Sequence, residues 1–204
     1  MTDSIVGYAS EAPALLVTYE RISPETLHRP VWHLIPAAPS HLLDIGAGSG
    51  RDAAHFAAMG HRVVAVEPVD AMREGAMKLH PSPRIEWLAD TLPSLSHLRA
   101  RGEAFDAVLA TAVWMHLDES ERAEAMPAVA SLVAPGGVLI LSLRHGPIPP
   151  GRRMFDVSAD ETIALAGREG LACLVNAVTG SVQAQHPDVT WTRLGFRRDE
   201  ARIP

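Results

Sequence analysis

Residues 42–50 are Leu42-Leu43-Asp44-Ile45-Gly46-Ala47-Gly48-Ser49-Gly50, in which a short apolar run ends at three alternating glycines. The apolar run is typical of a buried strand, and glycine tolerates the positive φ angles of a tight turn. Residues 51–60, which follow, are helix-like and end on a glycine, a common helix stop. A strand, a glycine turn and a helix in this order predict a backbone cradle for a cofactor.

Composition and charge restrict the class of protein. The chain has 204 residues, of which 47% are hydrophobic and 21% charged, as in an ordinary globular domain. Its formal net charge of −6, without a basic block, argues against a dedicated nucleic-acid binder. The lone cysteine, Cys173, cannot form an intrachain disulfide, and the N-terminus lacks the pattern of a signal peptide. No apolar run approaches the roughly 20 residues of a membrane helix. We therefore expect a cytoplasmic protein with no membrane partner.

Strand-like and helix-like segments alternate from residue 41 onward. Strand-like runs occupy residues 41–46, 62–66, 84–88, 105–111, 138–143, 171–178 and 189–197. Helix-like runs occupy residues 51–59, 70–80, 118–133 and the stretch after the capping sequence that begins at Ser158. A further helix is predicted from Ser23-Pro24 to about Ile35, and Pro127 should kink its helix or mark a boundary.

The alternation predicts an α/β fold: a doubly wound, mostly parallel seven-stranded sheet with helices on both faces. The last two strands are joined by a short polar loop, so they should form an antiparallel C-terminal hairpin. We predict one domain over residues 1–204. It would comprise a helical lead-in or lid (1–40), a cofactor-binding core (41–145), and a substrate-side loop with a helix and the hairpin (146–204). The oligomeric state is left open between monomer and homodimer.

The residues at the strand ends indicate the ligand, because open α/β sheets bind ligands at the carboxyl ends of their strands. Glu67 follows the second predicted strand, Asp90 the third, and residues 111–116 the fourth. A nicotinamide-dinucleotide site would place a third glycine where this chain has Arg51. A carboxylate at Glu67 suits the ribose of either cofactor, whereas Asp90 could accept a hydrogen bond from an adenine amino group. The strand ends therefore predict a nucleoside-containing cofactor.

Five segments together resemble the successive motifs of class I S-adenosylmethionine-dependent methyltransferases, in the order and spacing of that family. They are residues 42–50, 64–68, 87–90, 105–117 and 134–139. The resemblance implies S-adenosylmethionine as cofactor, S-adenosylhomocysteine as its product, and methyl transfer by in-line displacement. Because no large insertion for holding a macromolecule is evident, a small-molecule acceptor is expected. The alternatives are a methyltransferase of RNA or protein, a non-catalytic S-adenosylmethionine-binding protein and a nicotinamide-dependent oxidoreductase.

The resemblance also implies roles for individual residues. Asp44 faces the methionine ammonium, Glu67 binds the ribose hydroxyls, Met72 lies over the adenine and Asp90 binds its amino group. The glycines of the turn let the backbone approach the methionine and the ribose. The full implied cofactor-binding set is Tyr19, Asp44, Gly46, Ala47, Gly48, Gly50, Arg51, Asp52, Glu67, Pro68, Met72, Ala89, Asp90, Thr91, Leu92, Thr111, Ala112, Val113 and His116.

A catalytic base is needed only for some acceptors, since the departing thioether is neutral and positioning supplies much of the catalysis. His116 and His145 follow the fourth and fifth predicted strands, where either could accept a proton. His28 could belong to a lid, and Trp114 and Met115 could line a substrate pocket or pack in the core. No histidine or cysteine has the spacing of a metal motif, so we expect no metal site.

The loop at residues 144–155 is the least regular segment, and it should shape the substrate site. Its arginines, Arg144, Arg152 and Arg153, could bind an anionic substrate or form a solvated surface. Arg51 could reach the carboxylate of the cofactor as a bidentate partner, or it could be an ordinary helix-end arginine.

Overall fold

Seven strands form one sheet in the computed structural model, which describes residues 7–182 and 187–200. The strands are β1 (His41–Ile45), β2 (Arg62–Val66), β3 (Ile85–Leu88), β4 (Phe105–Ala110), β5 (Val133–His145), β6 (Leu171–Gly180) and β7 (Thr190–Arg198). Their order is β3-β2-β1-β4-β5-β7-β6. The first five strands pair in parallel, whereas β7 is antiparallel to both β5 and β6. The predicted fold class is therefore confirmed, including the antiparallel hairpin.

Helices connect the strands and precede the first of them. They are α1 (Tyr8–Tyr19), α2 (Pro24–Leu27), α3 (Arg51–Ala58), α4 (Asp70–Leu79), α5 (Ser96–Arg99), α6 (Glu119–Leu132) and α7 (Ala159–Arg168). Two 3-10 turns span Trp32–Leu34 and Trp114–His116. Within the described part of the chain, no helix is both long and apolar enough to cross a bilayer.

Apolar side chains cover both faces of the sheet. Leu43, Val64 and Val108 belong to one buried cluster, which also receives the apolar side of α6. Leu42 and Val63 belong to a second buried cluster on the opposite face, which also contains Phe56 of α3. Successive residues of a strand point to opposite faces, so a strand buried on both sides needs an unbroken apolar run. This explains why the central strands lack polar alternation.

The chain reverses its direction across the sheet between β1 and β4. From β1 it proceeds to β2 and β3 on one side, and afterwards to β4 and β5 on the other. The connections on the two sides therefore separate at the carboxyl ends of β1 and β4, which leaves a crevice there. The loops after β1, β2 and β4 all meet at this edge.

The prediction of a helix from Ser23 to Ile35 is wrong about the length of that helix. Ser23 does cap a helix, by accepting a hydrogen bond from the backbone N–H of Thr26, but α2 ends at Leu27. Pro30 explains the break, because proline lacks an N–H and disfavours helical backbone in the residue before it. The segment then forms only the 3-10 turn.

The boundary between α6 and β5 also differs from the prediction. Helix α6 continues through Pro127, so this proline marks no boundary; buried neighbours such as Met126 and Val129 hold the helix against the sheet. Strand β5 begins at Val133, which pairs with Phe105. The predicted start, Val138, is instead the point where regular pairing resumes after a register shift.

Candidate functional site

A cavity of about 470 Å³ lies at the carboxyl ends of the parallel strands. Its walls come from the ends of β1 and β2, from the segments after β1, β2, β3 and β4, from α1, from the end of β5 and the loop after it, and from the start of β7. It therefore lies at the β1/β4 reversal. A cavity of this volume is in the range of small-molecule sites.

The glycine turn forms one wall of this cavity. The backbone N–H groups of Gly46 and Ala47 both donate to the carbonyl of Val66, at 2.8 and 2.9 Å, which ties the turn to β2. Gly46 has a φ of 70°, and a Cβ added there would lie 2.5 Å from a methyl carbon of Val113. Glycine is therefore required at this position by both backbone conformation and space.

Two backbone hydrogen bonds hold the carboxylate of Glu67 at the end of β2. Its Oε2 accepts from the N–H of Gly48 at 2.9 Å, and its Oε1 accepts from the N–H of Val69 at 2.9 Å. Burial raises the pKa of Glu67, and these two hydrogen bonds oppose the rise. The carboxylate is thus oriented before any ligand arrives.

Asp44 is a buried carboxylate that lines the cavity at the end of β1. Its side chain is 2% exposed, and its Oδ2 has no hydrogen-bond partner among residues 7–182 and 187–200. Burial, reinforced by the neighbouring charge of Asp52, raises the pKa of Asp44 well above its usual value. A desolvated carboxylate of this kind is suited to bind a cation from a ligand.

Asp52 differs from Asp44 because both of its carboxylate oxygens already have side-chain partners. Its Oδ2 lies 2.7 Å from Nε2 of His28, and its Oδ1 lies 2.7 Å from Nε of Arg51. Burial alone would raise the pKa of Asp52, but His28 and Arg51 hold it below its usual range. Arg51 also donates to the carbonyl of Tyr19 at 3.0 Å, so it links α3 to the end of α1. His28 is fully buried beside Asp52 and is not part of a lid.

Asp90 combines a cavity position with a structural role. Its Oδ1 accepts from the N–H of Thr91, and its Oδ2 accepts from the N–H of Leu98, both at 2.9 Å. These bonds shape the connection between β3 and α5 while the residue lines the cavity. Met72 of α4 is buried and lines the same end. The acidic and apolar groups expected to face adenine therefore share one wall.

His116 lies where the cavity meets α1. Its Nδ1 is 2.7 Å from the carbonyl of Arg153, which can only accept, so Nδ1 carries the proton of the neutral ring. Nε2 is then an acceptor and faces the hydroxyl of Tyr8 at 3.1 Å. Burial, and then the charges of Arg152, Arg153 and Arg144, lower the pKa of His116. The ring is thus kept neutral as a proton acceptor.

The structure brings most of the predicted cofactor-binding residues into one cavity wall. Those that line it are Tyr19, Asp44, Gly46, Ala47, Gly48, Arg51, Asp52, Glu67, Pro68, Met72, Asp90, Thr91, Leu92, Thr111, Ala112, Val113 and His116. Their roles towards a cofactor stay predictions.

Three predicted site residues lie outside the cavity wall. Gly50 is the N-cap of α3 with a φ of 80°, and a Cβ added there would lie against the ring of Trp87. Gly50 therefore shapes the turn without lining the cavity. Ala89 is exposed on the other side of its loop. The Nε2 of His145 is 2.8 Å from the hydroxyl of Thr192, in the pairing of β5 with β7. His145 therefore lies outside the cavity wall, and its catalytic role stays a prediction.

Only some of the arginines that were predicted to bind an anionic substrate line the cavity. Arg144 and Arg152 line it, whereas Arg153 pairs with Asp118 and Glu121. Met115 also lines the cavity.

Trp114 was expected to line a substrate pocket or to pack in the core. It is fully buried among core side chains. Of the two interpretations, the structure therefore supports core packing.

Sequence reasoning did not place several further residues at the site. Tyr8, Leu15 and Thr18 of α1, and Trp191 and Arg193 of β7, all line the cavity. Apart from Tyr8, the local sequence around these residues carries no binding motif. Only the tertiary structure brings them to the cavity. Within the described ranges, no group of three or more histidine, cysteine or acidic side chains could hold a metal ion.

Comparisons with known proteins agree with this geometry. A family model described as a methyltransferase domain matches residues 42–137. An uncharacterized methyltransferase of Mycobacterium tuberculosis is 31% identical over 121 residues, which are 59% of this chain and 46% of that protein. The chain spans about half the length of the curated relatives that it matches.

Solved structures show the same fold at low sequence identity. Burkholderia thailandensis 1,6-didemethyltoxoflavin N1-methyltransferase, crystallised with 1,6-didemethyltoxoflavin and S-adenosylhomocysteine, matches with a TM-score of 0.71 at 21% identity, covering 95% of this chain and 84% of that one. The [4+2]-cyclase SpnF matches with a TM-score of 0.74 at 16% identity, covering 95% and 94%. Together with the family match over residues 42–137 and the ordered motifs, they show that the chain resembles the class I S-adenosylmethionine-dependent methyltransferases and shares their fold.

Proposed function

We propose that this protein transfers a methyl group from S-adenosylmethionine to a small molecule. The observation that carries this proposal is a row of three carboxylates, Asp44, Glu67 and Asp90, in one cavity. Asp44 lies at the end of β1, and Glu67 and Asp90 follow the adjacent strands β2 and β3. Neighbouring strands are about 4.8 Å apart, so the row spans about 10 Å, the scale of a nucleoside with an amino-acid tail.

The residues present fit this cofactor. The unpartnered Oδ2 of Asp44 suits the methionine ammonium, and the preoriented carboxylate of Glu67 suits the ribose hydroxyls. Asp90 and Met72 form the wall assigned to the adenine. When bound, S-adenosylmethionine supplies an electrophilic methyl group on its sulfonium. The chain contributes the position of the acceptor relative to that methyl group.

Tyr8 and His116 provide a route for a proton if the acceptor must lose one. The Tyr8 oxygen can accept a proton from the acceptor while its own hydroxyl proton moves to Nε2 of His116 over 3.1 Å. The lowered pKa of His116 keeps the ring neutral and ready for this step. Burial raises the pKa of Tyr8, which keeps the hydroxyl protonated until the transfer.

The shape of the site supports a small acceptor over a macromolecule. Helix α1 covers one side of the cavity and the loop at residues 144–155 covers another. A folded RNA or protein would have to displace one of them, and the net charge of −6 also disfavours RNA. The similar Burkholderia thailandensis structure holds 1,6-didemethyltoxoflavin, a small molecule. A cytoplasmic location stays a prediction from the lone cysteine.

A ligand-induced thermal shift tests the choice of cofactor. S-adenosylhomocysteine at about 100 times its Kd should stabilise the protein by about 2.7 kcal/mol. For a chain of this size, that corresponds to a rise in Tm of roughly 5–10 °C. NAD⁺ and NADH should produce no shift. A shift with NAD⁺ or NADH and none with S-adenosylhomocysteine would contradict the proposal.

Two glycine variants provide a matched control for that measurement. Gly46→Ala should abolish the shift, because its Cβ meets Val113 inside the cavity wall. Gly102→Ala should keep it, since Gly102 has a similar φ of 67° but open space around it. Both changes place alanine at a positive φ and strain the backbone to a similar extent. A loss of the ligand-induced shift in Gly46→Ala alone is therefore an effect on binding.

Turnover distinguishes an enzyme from a binder with the same fold. The cyclase SpnF shows by its name that this fold also serves another reaction. Incubation with methyl-labelled S-adenosylmethionine and a pool of cellular metabolites should give labelled small molecules. Label found only in RNA or protein would favour the macromolecular alternative. Binding of S-adenosylmethionine without label in small molecules, RNA or protein would favour the non-catalytic binding protein.

A further inference from the structure

A second, cationic part of the cavity lies on strands β5 and β7. In their antiparallel pairing, Arg144 is opposite Trp191 and Ser142 is opposite Arg193. Directly opposite residues of an antiparallel pair share a face, so these four side chains lie on one side of the sheet. Arg144, Trp191 and Arg193 line the cavity. The carboxylate row on β1 to β3 and this cationic group on β5 and β7 therefore line different parts of one cavity.

Arg193 is a buried cation without a neutralising partner among residues 7–182 and 187–200. Its side chain is 2% exposed, and its Nε and Nη1 have no hydrogen-bond partner in the part of the chain that the structure describes. The guanidinium lies 5.0 Å from the ring centre of Trp191, a cation–π contact. Burial lowers the pKa of Arg193 to about 10. A desolvated charge is costly unless an anion accompanies it, so the missing anion is expected from a ligand.

The other charged side chains near Arg193 do not supply this anion. The attraction of Asp52 acts on Arg193, but both carboxylate oxygens of Asp52 already bind His28 and Arg51. On the cavity side, Arg152 is itself paired with Glu11. The charge of Arg193 is thus available to an anionic ligand.

The carboxylate of the cofactor is a poor match for Arg193. Three strand spacings separate β1, which carries Asp44, from β7, which is about 14 Å. The ammonium and carboxylate of an amino acid share one carbon, so a ligand ammonium at Asp44 leaves its carboxylate near β1. The cation beside Asp44 is Arg51, directly after the glycine turn. Arg193 therefore faces a different ligand.

We propose that the methyl acceptor is a small carboxylic acid whose carboxylate binds Arg193. This inference rests on the proposed function, because the acceptor is defined by the cofactor in another part of the cavity. The planar guanidinium can hold a carboxylate through two parallel hydrogen bonds. Trp191, which contacts Arg193, and Met115 and Met154 also line the cavity and would contact the apolar body of the acid. Arg144 supplies a second positive charge on the same face.

Matched acid and amide probes test this assignment directly. Calorimetric titration of the protein saturated with S-adenosylhomocysteine would use benzoate against benzamide, phenylacetate against phenylacetamide, and indole-3-acetate against its amide. Each pair has nearly equal size and differs in charge. The acids should bind about ten-fold or more tightly than the amides, as expected for hydrogen bonds to a charged group.

Variants of β7 locate the source of the preference. Arg193→Met should abolish the preference for acids, and Arg193→Lys should restore part of it. Arg197→Met is the control, because Arg197 lies on the same strand but is exposed. All three variants should keep the wild-type affinity for S-adenosylhomocysteine. Retained cofactor affinity also shows that the variants are folded.

Three results would overturn the proposal. The first is equal binding of acids and amides across the panel. The second is an acid preference that survives in Arg193→Met. The third is a ten-fold or greater loss of S-adenosylhomocysteine affinity in Arg193→Met, which would assign the guanidinium to the cofactor. If S-adenosylhomocysteine fails to bind the wild type, the proposed function fails instead, and the acid preference is still measurable on the free protein.

Discussion

At the scale of single residues, Asp44 has the most unusual surroundings in the cavity. It is buried, its Oδ2 has no partner in residues 7–182 and 187–200, and its pKa is raised well above the usual value by burial and by Asp52. Its neighbours Glu67 and Asp90 instead receive two backbone hydrogen bonds each. Asp44 alone among the three therefore depends on the ligand for neutralisation.

The raised pKa gives a prediction about pH. A ligand ammonium requires ionised Asp44, so the affinity for S-adenosylhomocysteine should increase with pH up to the raised pKa and then level off. Folding has the opposite dependence: a raised folded-state pKa stabilises the free protein at low pH, and this stabilisation is lost as pH rises through it. Calorimetry and urea unfolding between about pH 5 and 9 measure both trends.

Substitution of Asp44 should remove both trends. Asp44→Asn should weaken S-adenosylhomocysteine binding by about ten-fold to a hundred-fold, the worth of a hydrogen bond to a charged group. The free variant should also lose the decline in stability with rising pH. Asp156→Asn, at an exposed loop position, serves as control. Wild-type affinity in Asp44→Asn at every pH would remove this residue from the site.

At the scale of elements, α1 forms the cover of the cavity. Tyr8, Leu15 and Tyr19 of this helix line the cavity, and the helix also packs on α4. The contact is close at Gly75 of α4, where an added Cβ would collide with the end of the Leu16 side chain. The small size of Gly75 therefore sets how near α1 lies to the sheet.

A larger residue at Gly75 should displace the cover. Gly75→Leu should force α1 away from α4 at a cost of about 1–3 kcal/mol in stability. Its affinity for S-adenosylhomocysteine should also fall, because Tyr19 moves with the helix. Gly167→Leu is the matched control: Gly167 lies in α7 with open space around it, and the change should stabilise its helix by up to about 1 kcal/mol. Equal ligand affinity in the two variants would show that α1 is not part of the site.

At the scale of the whole molecule, buried neutral histidines link stability to acid pH. Burial lowers the pKa values of His41 and His61, which lie together at the starts of β1 and β2, and of His116 at the cavity. His61 is fully buried; its Nδ1 accepts from the N–H of Ser40 at 3.1 Å, and its Nε2 has no partner within the described chain. Protonation would destroy the acceptor at Nδ1, and the nearby charge of Asp106 only partly favours the charged ring.

These histidines should destabilise the fold below neutral pH. Because their folded-state pKa values lie under the unfolded value of about 6.5, their full contribution is present above it and is lost as pH falls. Urea unfolding from about pH 8 to 5 should therefore show declining stability in Asp44→Asn, where the opposite contribution of Asp44 is absent. His61→Gln, whose amide oxygen can accept from Ser40 without titrating, should reduce the decline, whereas His97→Gln at an exposed position should not. An unchanged slope in His61→Gln would exclude His61 as a contributor.

Short-range patterns account for what could be predicted about the fold. The run from Leu42 to Gly60 combines an apolar strand, glycines at positive φ and a helix within a few residues, so its structure follows from local chemistry. The same holds for Glu67, which directly follows its strand. The prediction was wrong where a local signal was overlooked, as at Pro30, which ends α2 early.

The sequence by itself therefore determined the order of strands and helices, the glycine turn and the carboxylates at the strand ends. The tertiary structure alone decided that β7 lies between β5 and β6, which brings Arg193 beside a strand about 50 residues earlier in the chain. It also decided that α1 covers the cavity, since this helix fully buries only Ala12 and shows little periodic pattern. The physical reason is range: hydrogen bonds and apolar periodicity act between near neighbours, whereas the partner of a buried charge is set by the packing of distant segments.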